Sequence, residues 1–116
     1  MTLKEVVELL EAEVICGQEH IDDEFEFAGA SDMMSDVLAF GKPGILLLTG
    51  LANTQSVRTA EIIEAKAIVY VRGKKPSPEG IELAEKNGIP ILSTRFLMYK
   101  TCGLLFGREV PGVGDL

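Results

Sequence analysis

Tryptophan is missing from these 116 residues, histidine occurs once and cysteine only twice. The lone histidine, His20, sits in an acidic stretch and is read as solvated, with nothing arranged around it for a Ser-His-Asp relay. Cys16 and Cys102 are far apart and form no CxxC or zinc-type cluster, so both are read as buried thiols. There is no HExxH, no GxGxxG and no GxxxxGK[ST] phosphate loop. The Asp22-Asp23-Glu24 run lacks the spaced ligands and glycine of a calcium loop. No metal and no cofactor is therefore expected. No apolar run approaches the roughly 18 residues of a membrane span. Met1 to Glu5 lacks the basic-then-apolar plan of a secretion signal, so a cytoplasmic location is expected.

Bases are scarce in the first part of the chain. Residues 1–40 hold eleven acids and one base, Lys4, whereas residues 41–116 hold seven acids and ten bases, giving −7 in all. An acidic chain is a poor candidate for sequence-independent nucleic-acid binding. The asymmetry suits solvated helix faces first and a partner-binding or self-complementary surface second. At 47% hydrophobic and 25% charged residues the chain is globular, not disordered.

What is present is organised around residues 45–73. Ile45 to Thr49 and Ala67 to Val71 are short, nearly continuous apolar runs, as strands covered on both faces should be. Between them lie a turn and about three helical turns, enough for a parallel crossover. The helix is expected to start at Asn53 or Thr54 and to bury Val57, Ala60 and Ile63. Upstream, Thr2 and Glu5 form a capping box for a helix with Leu3, Val6, Val7 and Leu10 on one face. Strands are expected at Ala12 to Cys16 and around Phe25 to Gly29, the latter at an edge. Ser31 reads as the N-cap of a helix with Met33, Met34, Val37 and Leu38 on its apolar face. Downstream, Ser77 and Pro78 open a helix that Asn87-Gly88 stops. Ile89 to Leu92 is a strand start or an edge, because of Pro90. Thr94 is a candidate cap for a last apolar helix, and residues 107–116 read as a tail. The prediction is one three-layer α/β domain over residues 1–116, with a mainly parallel sheet of four or five strands.

In open parallel sheets ligands bind beyond the carboxyl ends of the strands. Here those ends read Gly29-Ala30-Ser31, Thr49-Gly50-Leu51-Ala52-Asn53, Arg72-Gly73-Lys74-Lys75 and Ser93-Thr94-Arg95. Helix N-termini and bases converging on one rim suit an anionic group. The candidate ligand-binding residues are Thr49, Gly50, Asn53, Arg72 and Thr94. The plainer reading is that these residues only make turns and caps.

Three stretches together resemble a known family: Gly29 to Phe40 (GASDMMSDVLAF), Leu48 to Ala60 (LTGLANTQSVRTA) and Ala67 to Pro76 (AIVYVRGKKP). They are similar to the stand-alone DRTGG-domain proteins of anaerobic bacteria and archaea. That family is similar in fold to the N-terminal, non-catalytic domain of HPr kinase/phosphorylase. The naming residues differ here: Asn53 and its helix stand where a DR pair is expected, and Arg72-Gly73-Lys74 stands where TGG is expected. The resemblance covers about residues 2–106. It implies a regulatory domain that self-associates, and the absent phosphate loop gives no reason to expect a kinase. The expected function is a non-enzymatic regulatory or sensor domain, a homodimer, binding a small anionic metabolite or nucleotide. The alternative is a protein–protein interaction module with no small ligand. Neither nucleic acid nor membrane is an expected partner.

Overall fold

The computed structural model describes residues 1–115. Leu116, the last residue of the expected tail, lies outside them. Five strands form one sheet: β1 (Glu13–Cys16), β2 (Ala28–Ala30), β3 (Leu46–Thr49), β4 (Ala67–Tyr70) and β5 (Ile91–Ser93), in the order β1-β5-β4-β3-β2. β2 to β5 are mutually parallel, and β1 joins β5 antiparallel. Among the described residues five α-helices pack on the sheet: α1 (Leu3–Leu10), α2 (Met34–Phe40), α3 (Thr54–Ile62), α4 (Pro78–Lys86) and α5 (Met98–Gly107).

The strand period of two divides the core. Ile45, Leu47, Ile68, Tyr70 and Ile91 face one side, where they meet Met34 and Val37 of α2, Val57 and Ala60 of α3 and Ala84 of α4. Leu46, Leu48, Ala67, Val69 and Leu92 face the other, against Leu3, Val6 and Leu10 of α1 and Leu105 of α5. With both faces covered, β3 and β4 are buried at every position, as their uninterrupted apolar sequences require. The result is three layers.

Several helix ends follow local rules. Thr2 and Glu5 make the reciprocal capping box, and bonding to the Thr2 backbone and hydroxyl holds the Glu5 carboxyl below its ordinary pKa. Asn53 caps α3 through Ser56 N–H, at 2.9 Å, and Ser77 caps α4 with Pro78 at its first position.

Others do not. α2 begins at Met34, and Met33 stands at its N-cap with no side-chain bond, so Ser31 is not the cap. Only Met34 and Val37 of that helix are buried, while Met33 and Leu38 face out. α5 likewise starts at Met98, not at Thr94, whose hydroxyl instead donates to the Leu10 carbonyl at 2.7 Å. Pro90 precedes β5 and starts it, and β5 lies inside the sheet between β1 and β4. Residues 110–113 are packed: Ala28 N–H donates to Pro111 C=O, Gly112 bridges Ala28 in parallel, and Val110 and Val113 are buried. The outer edge of β2 is thereby partly covered.

Candidate functional site

The carboxyl ends of β2, β3 and β4 lie side by side, because consecutive parallel strands are neighbours in the sheet. Around Gly50 the rim is densely bonded. Asp32, just after β2, reaches the end of β3. Its Oδ1 accepts the Gly50 N–H at 2.6 Å and the Thr49 hydroxyl at 3.2 Å. The Thr49 hydroxyl oxygen in turn accepts the Leu51 N–H at 3.1 Å. Thr49 is wholly buried, so its hydroxyl needs these partners.

Arg72 approaches Gly50 from β4. Its Nη2 donates to the Gly50 carbonyl at 3.3 Å. A Cβ on residue 50 would sit 2.8 Å from Nη2 and 3.0 Å from Nε, so only glycine lets the guanidinium lie this close. Arg72 itself holds a left-handed backbone, φ 61°, followed by Gly73 at φ 69°. For a non-glycine residue that conformation costs about 1–2 kcal/mol. Arg72 N–H donates to Phe96 C=O and Gly73 N–H to Thr94 C=O, which fixes the turn.

α3 enters from the same side. Beyond the Asn53 cap, Ser56 Oγ donates to Asn53 C=O at 2.7 Å and lies 2.7 Å from the Tyr70 hydroxyl. Ser56 has one proton and spends it on Asn53, so Tyr70 is the donor of the pair. Burial pushes the Tyr70 phenol above its ordinary pKa, partly offset by Ser56.

Thr49, Gly50, Asn53 and Arg72 are thus brought to one region. Thr94 is not free to join them, since its hydroxyl points to Leu10 and also accepts the Phe96 N–H. The seam between β4 and β5 is zipped by the Arg72 and Gly73 backbone bonds. Sequence reasoning missed Asp32 as a rim residue. The signal was its position directly after a strand that ends beside Thr49-Gly50.

Arg72, Lys74 and Arg95 all stand exposed at strand ends, and none is in an ion pair among the described residues. The acids farther away are partly paired: Asp23 meets His20 at 3.2 Å and Lys66 at 3.8 Å, and Lys75 meets Glu13 at 3.0 Å. No group of three or more metal-ligating side chains occurs among the described residues.

A cavity of about 740 Å³ lies elsewhere, between the edge of β2, α5 and residues 110–114. It is apolar, with Phe40, Tyr99, Phe106 and Val113 in its wall and Lys100 beside them. Tyr99 is 92% exposed and Phe106 66%. Lys100 Nζ stands 3.8 Å over the Phe96 ring.

A three-layer domain with a mostly parallel sheet and a bonded rim of one acid, one base and a strand-end glycine defines a small α/β module. The chain belongs to the DRTGG-domain family, whose model matches residues 5–106. Among solved structures it is similar to the CBS and DRTGG domains of the regulatory region of Clostridium perfringens pyrophosphatase, complexed with the activator diadenosine tetraphosphate. That match has a TM-score of 0.76 at 21% identity, covering 90% of this chain and 45% of the other. The likeness establishes the fold, and the chain spans less than half the length of that regulatory region. No curated protein matches the chain. No helix among the described residues is long and apolar enough to cross a membrane.

Proposed function

We propose that this chain is a non-catalytic, cytoplasmic regulatory domain that binds a small anionic ligand, of the nucleotide class, at the carboxyl rim of its sheet. The observation that carries this reading is the Arg72 guanidinium lying over Gly50, exposed and outside any ion pair among the described residues. A planar guanidinium offers a bidentate contact to phosphate or carboxylate. Its strained backbone is the kind of feature that clusters at ligand sites. Lys74 and Arg95 add positive charge on the same rim. The similar pyrophosphatase region, solved with a dinucleotide activator, supports the nucleotide class. Calorimetric titration with diadenosine tetraphosphate should therefore show binding to the wild type. Arg72→Ala should bind about tenfold more weakly, or worse, as the loss of one charge-assisted contact implies. Equal affinities would remove Arg72 from the site.

A second reading, an interaction module, is favoured by the apolar cavity and by Leu97, Tyr99 and Phe106, which are 63%, 92% and 66% exposed on or beside α5. Large side chains grouped in this way mark association surfaces, and a two-fold contact between copies is the commonest arrangement. The expected result is a light-scattering mass near twice the 12.6 kDa of one chain at micromolar concentration. A monomer mass would count against the homodimer. The cavity and the rim involve different residues, so dimerisation is compatible with a rim ligand, whereas the interaction-module reading expects no ligand in the titration above.

A further inference from the structure

We propose that the Asp32 carboxylate is an internal anion occupying the receptor position of the rim, and that an anionic ligand binds there by displacing it and so resets the start of α2. The inference rests on the rim-site reading above.

The bonds made to Asp32 are those an anion would take. Gly50 N–H and the buried Thr49 hydroxyl both donate to one oxygen, at 2.6 and 3.2 Å. Neither donor tolerates being left without an acceptor, because a buried unsatisfied polar group costs about 1–3 kcal/mol. Asp32 is displaced most readily when another anionic acceptor, a phosphate or carboxylate oxygen, takes both donors. The Asp32 oxygen at this position makes no ion pair with Arg72 among the described residues, so a ligand reaches both groups only if it is larger than a carboxylate and spans from the Gly50 N–H to the guanidinium on the Gly50 carbonyl.

Asp32 has a second place to go. It immediately precedes Met33, which stands at the N-cap of α2 with extended backbone, φ −97° and ψ 110°, and without a side-chain bond. Aspartate is among the best N-cap residues, and methionine is not one of them. Released from Gly50, Asp32 becomes the cap if Met33 turns helical, which lengthens α2 by one residue. Upstream, Ser31 N–H is pinned to Leu48 C=O and the Ser31 hydroxyl accepts the Met33 N–H. The change is thus confined to residues 31–33. It redirects Met33, which is 59% exposed, and leaves Met34 and Val37 in the core. Ligand occupancy at the rim would then be displayed on the outer surface of α2. Each state satisfies the carboxylate, as a two-state element requires.

The test compares wild type, Asp32→Ala and Asp36→Ala, titrated with diadenosine tetraphosphate and with inorganic phosphate. If Asp32 holds the receptor position most of the time, its removal raises affinity about tenfold, by abolishing the competing state. Asp36 lies on the first turn of α2, is exposed and makes no contact with Gly50. Its removal deletes the same charge, and the affinity should change by less than about twofold. In the wild type, saturating probe should shift the amide resonances of Met33 to Ser35 and Gly50, and slow hydrogen exchange at Met34 and Ser35. Equal or weaker binding by Asp32→Ala, or unmoved α2 amides in saturated wild type, overturns the inference while the Arg72 site stands. Equal gains in the two aspartate variants reduce the effect to net charge and also overturn it. No binding of either probe to any of the proteins removes the rim site and the inference together.

Discussion

Tyr70→Ala should be the most damaging single substitution in the sheet, lowering the free energy of unfolding by about 3–5 kcal/mol. Tyr70 is wholly buried on the central strand β4. Its ring belongs to the core beneath α2, α3 and α4, and its hydroxyl donates to Ser56 at the start of α3. Truncation removes the packing and leaves a cavity that both neighbouring strands are too constrained to fill. For a domain of this length each kcal/mol shifts the midpoint by about 4 °C, so thermal unfolding should fall by roughly 12–20 °C. Tyr70→Phe keeps the ring and drops only the hydroxyl. Ser56 retains its bond to Asn53 C=O, so the cost should be near 1 kcal/mol. Urea unfolding of both variants separates packing from hydrogen bonding. A loss under about 1.5 kcal/mol for Tyr70→Ala would show that the core closes around the gap.

The second large effect is alkaline destabilisation. Cys16, Cys102 and Tyr70 all have raised pKa values, and burial is the leading cause in each. Their ordinary values are 9.0 for the thiols and 10.0 for the phenol. A raised acid keeps its proton in the folded state where the unfolded chain has already lost it. The unfolded state then binds fewer protons, and stability falls as pH rises. Each group adds a slope of about 1.4 kcal/mol per pH unit in the interval between its unfolded and folded values. Stability should therefore be insensitive to these groups below about pH 8. It should fall first as the unfolded thiols ionise and more steeply once the unfolded phenol does. Urea midpoints measured from neutral pH upward check the profile. Cys16→Ala with Cys102→Ala should remove the earlier part of the decline and leave the later part, while Tyr70→Phe should do the reverse. A profile unchanged in both variants would assign the decline to other groups.

The sequence carried the central crossover plainly. Ile45 to Thr49 and Ala67 to Tyr70 are apolar at nearly every position because both faces of the sheet are covered, and their shortness favours strands over buried helices. Asn53, Ser77 and Thr2 were legible as caps because their partners lie three residues away. What could not be read locally was competition from distant partners. Ser31 has the right chemistry for a cap, but the segment is held by Asp32 bonding to Gly50, eighteen residues on. Thr94 was assigned to a helix start and to the rim, yet a carbonyl in α1 claims its hydroxyl. Residues 107–116 read as a tail because of Pro111 and three glycines. The two buried valines, Val110 and Val113, are too few to show a period. The gathering of Thr49, Gly50 and Arg72 followed from parallel pairing of β3 and β4. The acid completing it, Asp32, lies just after the end of a third strand, and its bond to Gly50 joins positions eighteen residues apart.

Both margins of the sheet are finished by residues far away in the chain. Glu13 pairs with Ser93 on one side, and Ala28 with Gly112 on the other. Loops of this size carry a large closure entropy before any contact repays it. During synthesis, β1 therefore waits, unpaired, until residues 91–93 have emerged, and the outer edge of β2 waits still longer. Until then the chain has two open strand edges, the condition under which partly made domains associate wrongly. Eleven acids and a single base among the first 40 residues give the waiting segment a strong like charge. Like charge of this kind disfavours association between copies.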